Sequence, residues 1–546
     1  MDSTLSLAVM MNSDEMLNSL AKKMIDEVLS RNPTLATQLG KHEYDDKLDD
    51  TSPEFIEESI KLLKKTREEL NGIDESKHTE LGMIDREVFK ASIDFFLFQV
   101  EEVAQHKKNP DFGGFVGGAL FPLFMRDFAP MEERMRCIAS RLEQVPRAFE
   151  QFKSLIANPV KLWTQLAIQS IQGIPGFIQL IIAVSEPQIS EELHERLRTA
   201  GAAATGILEE AKAWLEGLLP TASEDWALGP ETFEQLLQKR KIPLASNEIL
   251  KLGEQYLKDF KQELADLAER ISPGSSTDEV REKIQDEHPG SFDEVLEVYR
   301  EWVAKAHQWV TDNDFATVLD GKLQVVETPD FLKPLIPTAA LVIPGLFDEI
   351  KFGEYIVTNS GDDETLRRHY LANIPRTCIH EAYPGHFLQS LGSANTTPSR
   401  LLHSELTLIE GWAFYCEQAT IDMGFNDTPE ARFAQILGLI WRAARIIIDI
   451  KLSRGEMTFD EAVQMLIDEA GMDEMRAKIE VSRYTLSPGY PLSYLLGRHL
   501  IMDVRKELEE EFGSKFNLKL FHDTIINAGS IPVFFIPQLY RVAAKN

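Results

Sequence analysis

Apolar residues recur in pairs along the first part of the chain. From Met16 to Leu29 they fall as Met16 and Leu17, Leu20 and Ala21, Met24 and Ile25, Val28 and Leu29. A step of four residues places one stripe on an amphipathic helix, with Ser13 as a plausible cap and Asn32-Pro33 as a stop. Ser52-Pro53 opens a second helix, with Phe55, Ile56, Ile60, Leu62 and Leu63 on or near its buried side. The same period recurs in Met131–Ile156, Glu191–Leu219, Ile249–Ile271 and Phe292–Val310, with no fixed repeat length that would mark a solenoid.

The pattern changes between Lys322 and Ser360. Prolines stand at 329, 334, 337 and 344, and short β-prone runs occur at Leu323–Val326, Ala340–Ile343 and Tyr355–Thr358. A small sheet set into a helical protein is expected there, with Tyr355–Thr358 as an edge strand able to pair with an extended peptide. Helical periodicity returns after Asp362. No Gly/Ser-rich linker divides the chain, so 1–546 reads as one continuous, mainly α fold. Residues 1–320 would form a helical lobe walling a cleft, and 321–546 the sheet and site helices.

Composition narrows the function classes. Among 546 residues, 43% are hydrophobic and 27% charged, an ordinary globular balance. A net charge of −31 disfavours nucleic acid and anionic membrane as partners. Three scattered cysteines, Cys137, Cys378 and Cys416, make no disulfide framework. The apolar run Leu5–Met11 lacks the basic flank of a secretory signal, and Phe177–Val184 and Ile446–Ile450 are shorter than a bilayer span. A cytoplasmic protein is therefore expected. Oligomeric state is not legible.

The candidate chemistry lies in Cys378-Ile379-His380-Glu381-Ala382-Tyr383-Pro384-Gly385-His386. Zinc hydrolases commonly carry two histidines four residues apart on one helix, with a glutamate beside the metal to take a proton. Here the spacing is six, which on an ideal helix turns the second ring about 240° away from the first. Either Pro384-Gly385 distorts the helix enough for both rings to converge, or a helix ends between two unrelated histidines. Glu410, 24 residues on in a mostly apolar helical stretch, needs a partner if buried and makes a third ligand. Gly411 beside it would allow a close approach to the histidine helix.

The chain resembles the bacterial domain-of-unknown-function family numbered eight-eighty-five, grouped with the gluzincin (thermolysin-like) peptidases. The resemblance runs nearly end to end. It rests on Asn32 to Gly40, Thr328-Pro329-Asp330-Phe331-Leu332, the His380–His386 segment and Glu410-Gly411-Trp412-Ala413. Further matches are Glu480 to Tyr484, Ser487-Pro488-Gly489-Tyr490, Ser493-Tyr494 and Phe521-His522-Asp523. It implies that His380, His386 and Glu410 hold zinc, other divalent ions being possible, and that Glu381 is the general base. Similar proteins often carry histidine where this chain has Ser453, so activity or specificity would differ there.

Tyr484, Tyr490 and Tyr494 are candidates for stabilising an oxyanion, with Tyr484 and Tyr494 preferred and Arg483 as a clamp for a substrate carboxylate. Glu417, seven residues after Glu410 on the same helical face, and His522 are the expected supports of the ligands. His369, His403 and His499 read as structural, and Cys378 and Cys416 as small buried residues. These features together predict a zinc-dependent hydrolase, most simply a peptidase cleaving short peptides. A hydrolase of a small non-peptide amide or ester, or a silent binding protein keeping the fold, would have the same sequence features.

Overall fold

A computed structural model describes residues 12–329, 333, 336, 338–359 and 363–545. The apolar run Leu5–Met11, Pro334, Pro337, Asp330 to Leu332, Ser360 and Asp362 lie outside them. The protein is mainly α with one small sheet.

Local signals explain where the helices start. Helix Ser13–Arg31 begins at Ser13 itself, and its cap is Asn12, one residue before the expected one. Asn12 accepts from the Glu15 amide, and the Glu15 side chain returns the bond in a capping box. Helix Pro53–Asn71 is capped by Ser52 with proline at its first position. The periodic segments further on fold as Met131–Leu155, Glu191–Leu218, Ser246–Ile271 and Phe292–Asp312.

One hydrophobic core is built from helices around Met135, Ile138, Phe149, Ile171 and Leu208. A larger one runs from Val88 through Phe233, Tyr299, Tyr355 and Trp412 to Tyr540. Helix Lys161–Ser185, prolonged by the turn Glu186–Gln188, contains the run Phe177–Val184. It is long and apolar enough to cross a membrane by length and composition. Counting uninterrupted apolar residues missed it because polar glutamines are spaced along it.

The sheet has strands β1 (Lys322–Glu327), β2 (Ala339–Val342) and β3 (Phe352–Val357), in the order β1-β3-β2. β1 runs parallel to β3, and β2 antiparallel to it. The expected edge strand is thus the central one. Tyr355, Ile356 and Val357 form a continuous apolar run that is buried on both faces, as a central strand requires. β2 is an edge instead. The loop after it is tied to the N-terminal helices by Asp348, which pairs with Arg126 and with His42 at 3.4 Å. This connection sets β2 opposite those helices.

Candidate metal centre

The six-residue spacing is solved by ending one helix and starting another. Helix Ile374–Glu381 stops at Ala382, Tyr383-Pro384 is a cis peptide, and helix His386–Ser393 begins anew. The expected distorted single helix is therefore two helices. Proline cannot donate to the first, and Gly385 packs its backbone against the His380 carbonyl, where a Cβ would collide. The Gly385 amide reaches the Ile379 carbonyl at 3.0 Å, and Trp412 Nε1 donates to the Pro384 carbonyl at 2.9 Å. The joint is thus held from both sides.

The two rings do converge. Their centroids lie 4.7 Å apart, with the planes 86° to each other. Helix Leu406–Asp422 brings Glu410 against them, and one donor atom each from His380, His386 and Glu410 lies within 4.8 Å of the others. Glu410 Oε2 is 3.8 Å from His380 Nε2 and 3.5 Å from His386 Nε2. That oxygen is buried and has no hydrogen-bond partner. A buried carboxylate oxygen facing two imidazole nitrogens, with none of them satisfied by a conventional hydrogen bond, fits a divalent cation.

Charge around the cluster keeps its carboxylates ionised. Burial alone would raise the Glu410 carboxyl, but His386, then His380, and the Tyr490 hydroxyl bring it down to about 2. Glu417 is also buried, and Arg376 and His380 hold its carboxyl at about 2. An ionised carboxylate can only accept, so His380 Nδ1, 2.8 Å from Glu417 Oε1, carries the proton. Nε2 then keeps its lone pair and points toward Glu410. Arg376 completes the relay at 3.0 Å from Glu417 Oε2. Arg376 was missed in the sequence reading, although it sits four residues before His380 on the same helical face.

Glu381 lies at the edge of the cluster, its Oε1 4.0 Å from His380 Nε2 and its side chain part-exposed. It lines, with His386 and Glu410, a cavity of about 790 Å³.

The other sequence candidates are distributed unevenly. Tyr494 is near, but through Tyr490: the two hydroxyls are 2.6 Å apart, and Tyr490 donates to Glu410 Oε1 at 3.1 Å. Burial, then the negative charge of Glu410, pushes both phenols up, Tyr494 to about 12, so both stay protonated. Tyr484 is elsewhere. Its hydroxyl accepts from Arg445 Nε at 2.7 Å inside a separate apolar cluster with Leu466 and Val481. Arg483 is mostly exposed and pairs with Glu480, so it does not face the cavity. Both stand on the helix Glu474–Leu486, which ends before the loop that reaches the site.

His522 is buried on the far side of the Glu410 helix. Its Nδ1 is 2.7 Å from the Phe315 carbonyl and its Nε2 2.8 Å from the Tyr415 hydroxyl, so neither nitrogen is left for the ligands. His369, His403 and His499 each bond a hydroxyl, of Tyr299, Ser92 and Tyr256. Cys378 and Cys416 are buried free thiols, pushed up by burial. Gly411 allows a close approach, but to Gly497 of helix Ser493–Phe512 rather than to the histidine helix; a Cβ at either would strike backbone. Ser453 donates to Asp449, which accepts the Gly489 and Leu492 amides at 2.9 and 3.0 Å. The serine thus backs the loop that presents Tyr490.

With this geometry in view, comparison with known proteins places the chain. The family model described as bacterial protein of unknown function (DUF885) matches residues 33–539. The chain belongs to the DUF885 family. No curated protein matches it. Two solved structures share the fold of this DUF885 chain. One is described as a "putative lipoprotein of unknown function" from Shewanella oneidensis. It is 22% identical with a TM-score of 0.80, and the match covers 97% of this chain and 99% of that one. The other is described as a "putative lipoprotein" from Colwellia psychrerythraea. It is 16% identical with a TM-score of 0.85, and the match covers 98% and 100%. These descriptions correct the expectation of a cytoplasmic protein: low cysteine content and a short apolar N-terminus do not separate this fold from proteins described as lipoproteins.

Proposed function

We propose that this protein is a zinc-dependent hydrolase of gluzincin-like arrangement that cleaves short peptides. The observation that carries the reading is the convergence of His380, His386 and an unpartnered Glu410 oxygen beside Glu381, at the wall of one cavity. Two imidazoles and one carboxylate suit zinc among common divalent ions. Bound there, the ion would supply Lewis acidity toward a carbonyl and an acidified water.

The chain's own residues do the rest. Glu381 accepts the proton of the attacking water and returns it to the leaving amine. Tyr490, kept protonated and now donating to Glu410 Oε1, would turn that proton to the oxyanion, with Tyr494 behind it. Glu417 and Arg376 hold the His380 ring in the tautomer that leaves Nε2 free. Leu341 of β2 and the adjoining Ile343 line the same cavity, so an extended substrate would lie along that edge.

Glu381→Gln tests the assignment. It should keep the metal while lowering turnover of peptides about 100- to 10,000-fold, the usual contribution of a general base. Unchanged turnover with metal retained would remove Glu381 from the chemistry.

A further inference from the structure

The cavity that opens onto Glu381, His386 and Glu410 has a largely apolar wall. Its far side is made by the N-terminal helices and carries Leu35, Phe55, Ile56, Leu62, Phe96 and Val100. The amphipathic pattern reads Phe55, Ile56 and Leu62 as core, yet all three are only half-buried, because what they face is the cavity. Val100 stands on a π-helical turn, Gln99–Val103, that interrupts the run of helix Glu80–Phe98 toward this wall.

Away from Glu381, His386 and Glu410, the cations and several hydroxyls of the lining are already engaged. Arg31 pairs with Glu58 at 3.3 Å and Glu27 at 3.5 Å, and Arg400 with Asp85 at 2.5 Å. His403 bonds Ser92, and burial holds it neutral. The hydroxyls of Ser59, Ser390 and Ser393 donate to carbonyls of their own helices. Among the described residues, no lining cation is free to receive a substrate carboxylate. A charged group laid against the Phe55–Ile56–Leu62 wall, away from Glu381 and Glu410, would lose its hydration without gaining a counter-ion, whereas an apolar group would exchange water for hydrocarbon.

From this we infer that the substrate places a bulky, uncharged, apolar group against the Phe55–Ile56–Leu62 wall, adjoining the bond to be cleaved. The inference rests on the hydrolase reading and names the substrate class of that site. In a peptide the group would be consecutive aliphatic or aromatic side chains; in a non-peptide amide it would be an alkyl chain. The wall excludes a free terminal carboxylate or ammonium from this side, so the chain end of a peptide would not be bound here.

The zinc-loaded full chain is assayed with internally quenched peptides identical except for Leu/Phe, Ala, Lys or Asp pairs beside the scissile bond, and with an N-dodecanoyl amide. The expected kcat/KM for the Leu/Phe peptide exceeds that for Ala by about tenfold or more, as apolar pockets discriminate. Lys and Asp should be poorest. Ile56→Lys and Leu62→Lys, at part-exposed positions distant in sequence from the cluster, should keep metal content and erase that preference. Better turnover of the dodecanoyl amide than of any peptide would assign the group to an alkyl chain, and the reverse order to side chains; both support the inference. Equal kcat/KM across the peptides, or wall variants with unaltered selectivity, would overturn it.

Calorimetric titration of Glu381→Gln with the Leu/Phe peptide and the dodecanoyl amide separates the two readings. Selective binding that Ile56→Lys weakens, without turnover of any substrate by the wild type, would uphold the apolar site and end the hydrolase reading. No binding of either probe would overturn the inference.

Discussion

Helix Leu406–Asp422 buries a histidine against each of two faces, and the two rings are treated differently. On one face His380 gives Nδ1 to Glu417, while its Nε2 looks across 3.8 Å at a Glu410 oxygen that has no hydrogen-bond partner. On the other, His522 has a partner for both nitrogens, the Phe315 carbonyl and the Tyr415 hydroxyl, and lies stacked on Phe315 with centroids 4.0 Å apart. Both rings are deep in the protein and both touch polar groups. What separates the proposed ligand from a strut is the second nitrogen: one faces an unsatisfied carboxylate oxygen, the other a finished hydrogen bond.

The comparison breaks most visibly at Glu417. Replacing it with glutamine removes the charge that fixes the His380 tautomer and leaves Arg376 buried without its counter-ion. Zinc affinity should fall about 10- to 100-fold, read by competition with a chromophoric chelator. Affinity equal to wild type would mean that the relay does not support the ring. A smaller effect is expected at Tyr490. Tyr490→Phe should keep the metal and lower kcat by about tenfold, less than the roughly 100- to 1,000-fold of a lone oxyanion donor because the Tyr494 hydroxyl stands 2.6 Å behind it, with KM little changed. A rise in KM alone would make the hydroxyl a binding group only.

The opposite face should leave metal affinity alone and change acid stability. Burial holds His522 at about 3, against an ordinary value of 6.5, so the fold refuses a proton that the unfolded chain accepts. Stability from this group is complete above pH 6.5 and declines as the pH falls toward 3. The slope is about 1.4 kcal/mol per pH unit. His522→Gln should flatten that slope in urea unfolding at pH 7.5, 5.5 and 4.5, with zinc affinity unchanged. Loss of zinc in this variant would erase the distinction between the two faces.

Much of the fold was legible because its signals are local. Ser52-Pro53 starts a helix where its chemistry says it should, and the three β-prone runs fall within three residues of the bounds of β1, β2 and β3. His380, His386 and Glu410 were legible as residue types in a pattern, but not the two-helix joint that lets six positions converge. Strand order was not legible either, since it depends on which apolar run becomes covered on both faces. Choosing among Tyr484, Tyr490 and Tyr494 required knowing where the helix Glu474–Leu486 ends, because the loop after it carries Tyr490 inward. Phe55, Ile56 and Leu62 show the same limit from another side. Periodicity marks an apolar face, but a core and a cavity wall leave the same mark.

Metal stoichiometry tests the account most directly. The purified chain, stripped with a chelator and reloaded with zinc, should bind one tight equivalent by elemental analysis, and His380→Ala, folded by circular dichroism, should bind none. Zinc absent from the reloaded wild type, or retained at equal affinity by His380→Ala, would contradict the assignment of this cluster as a metal site.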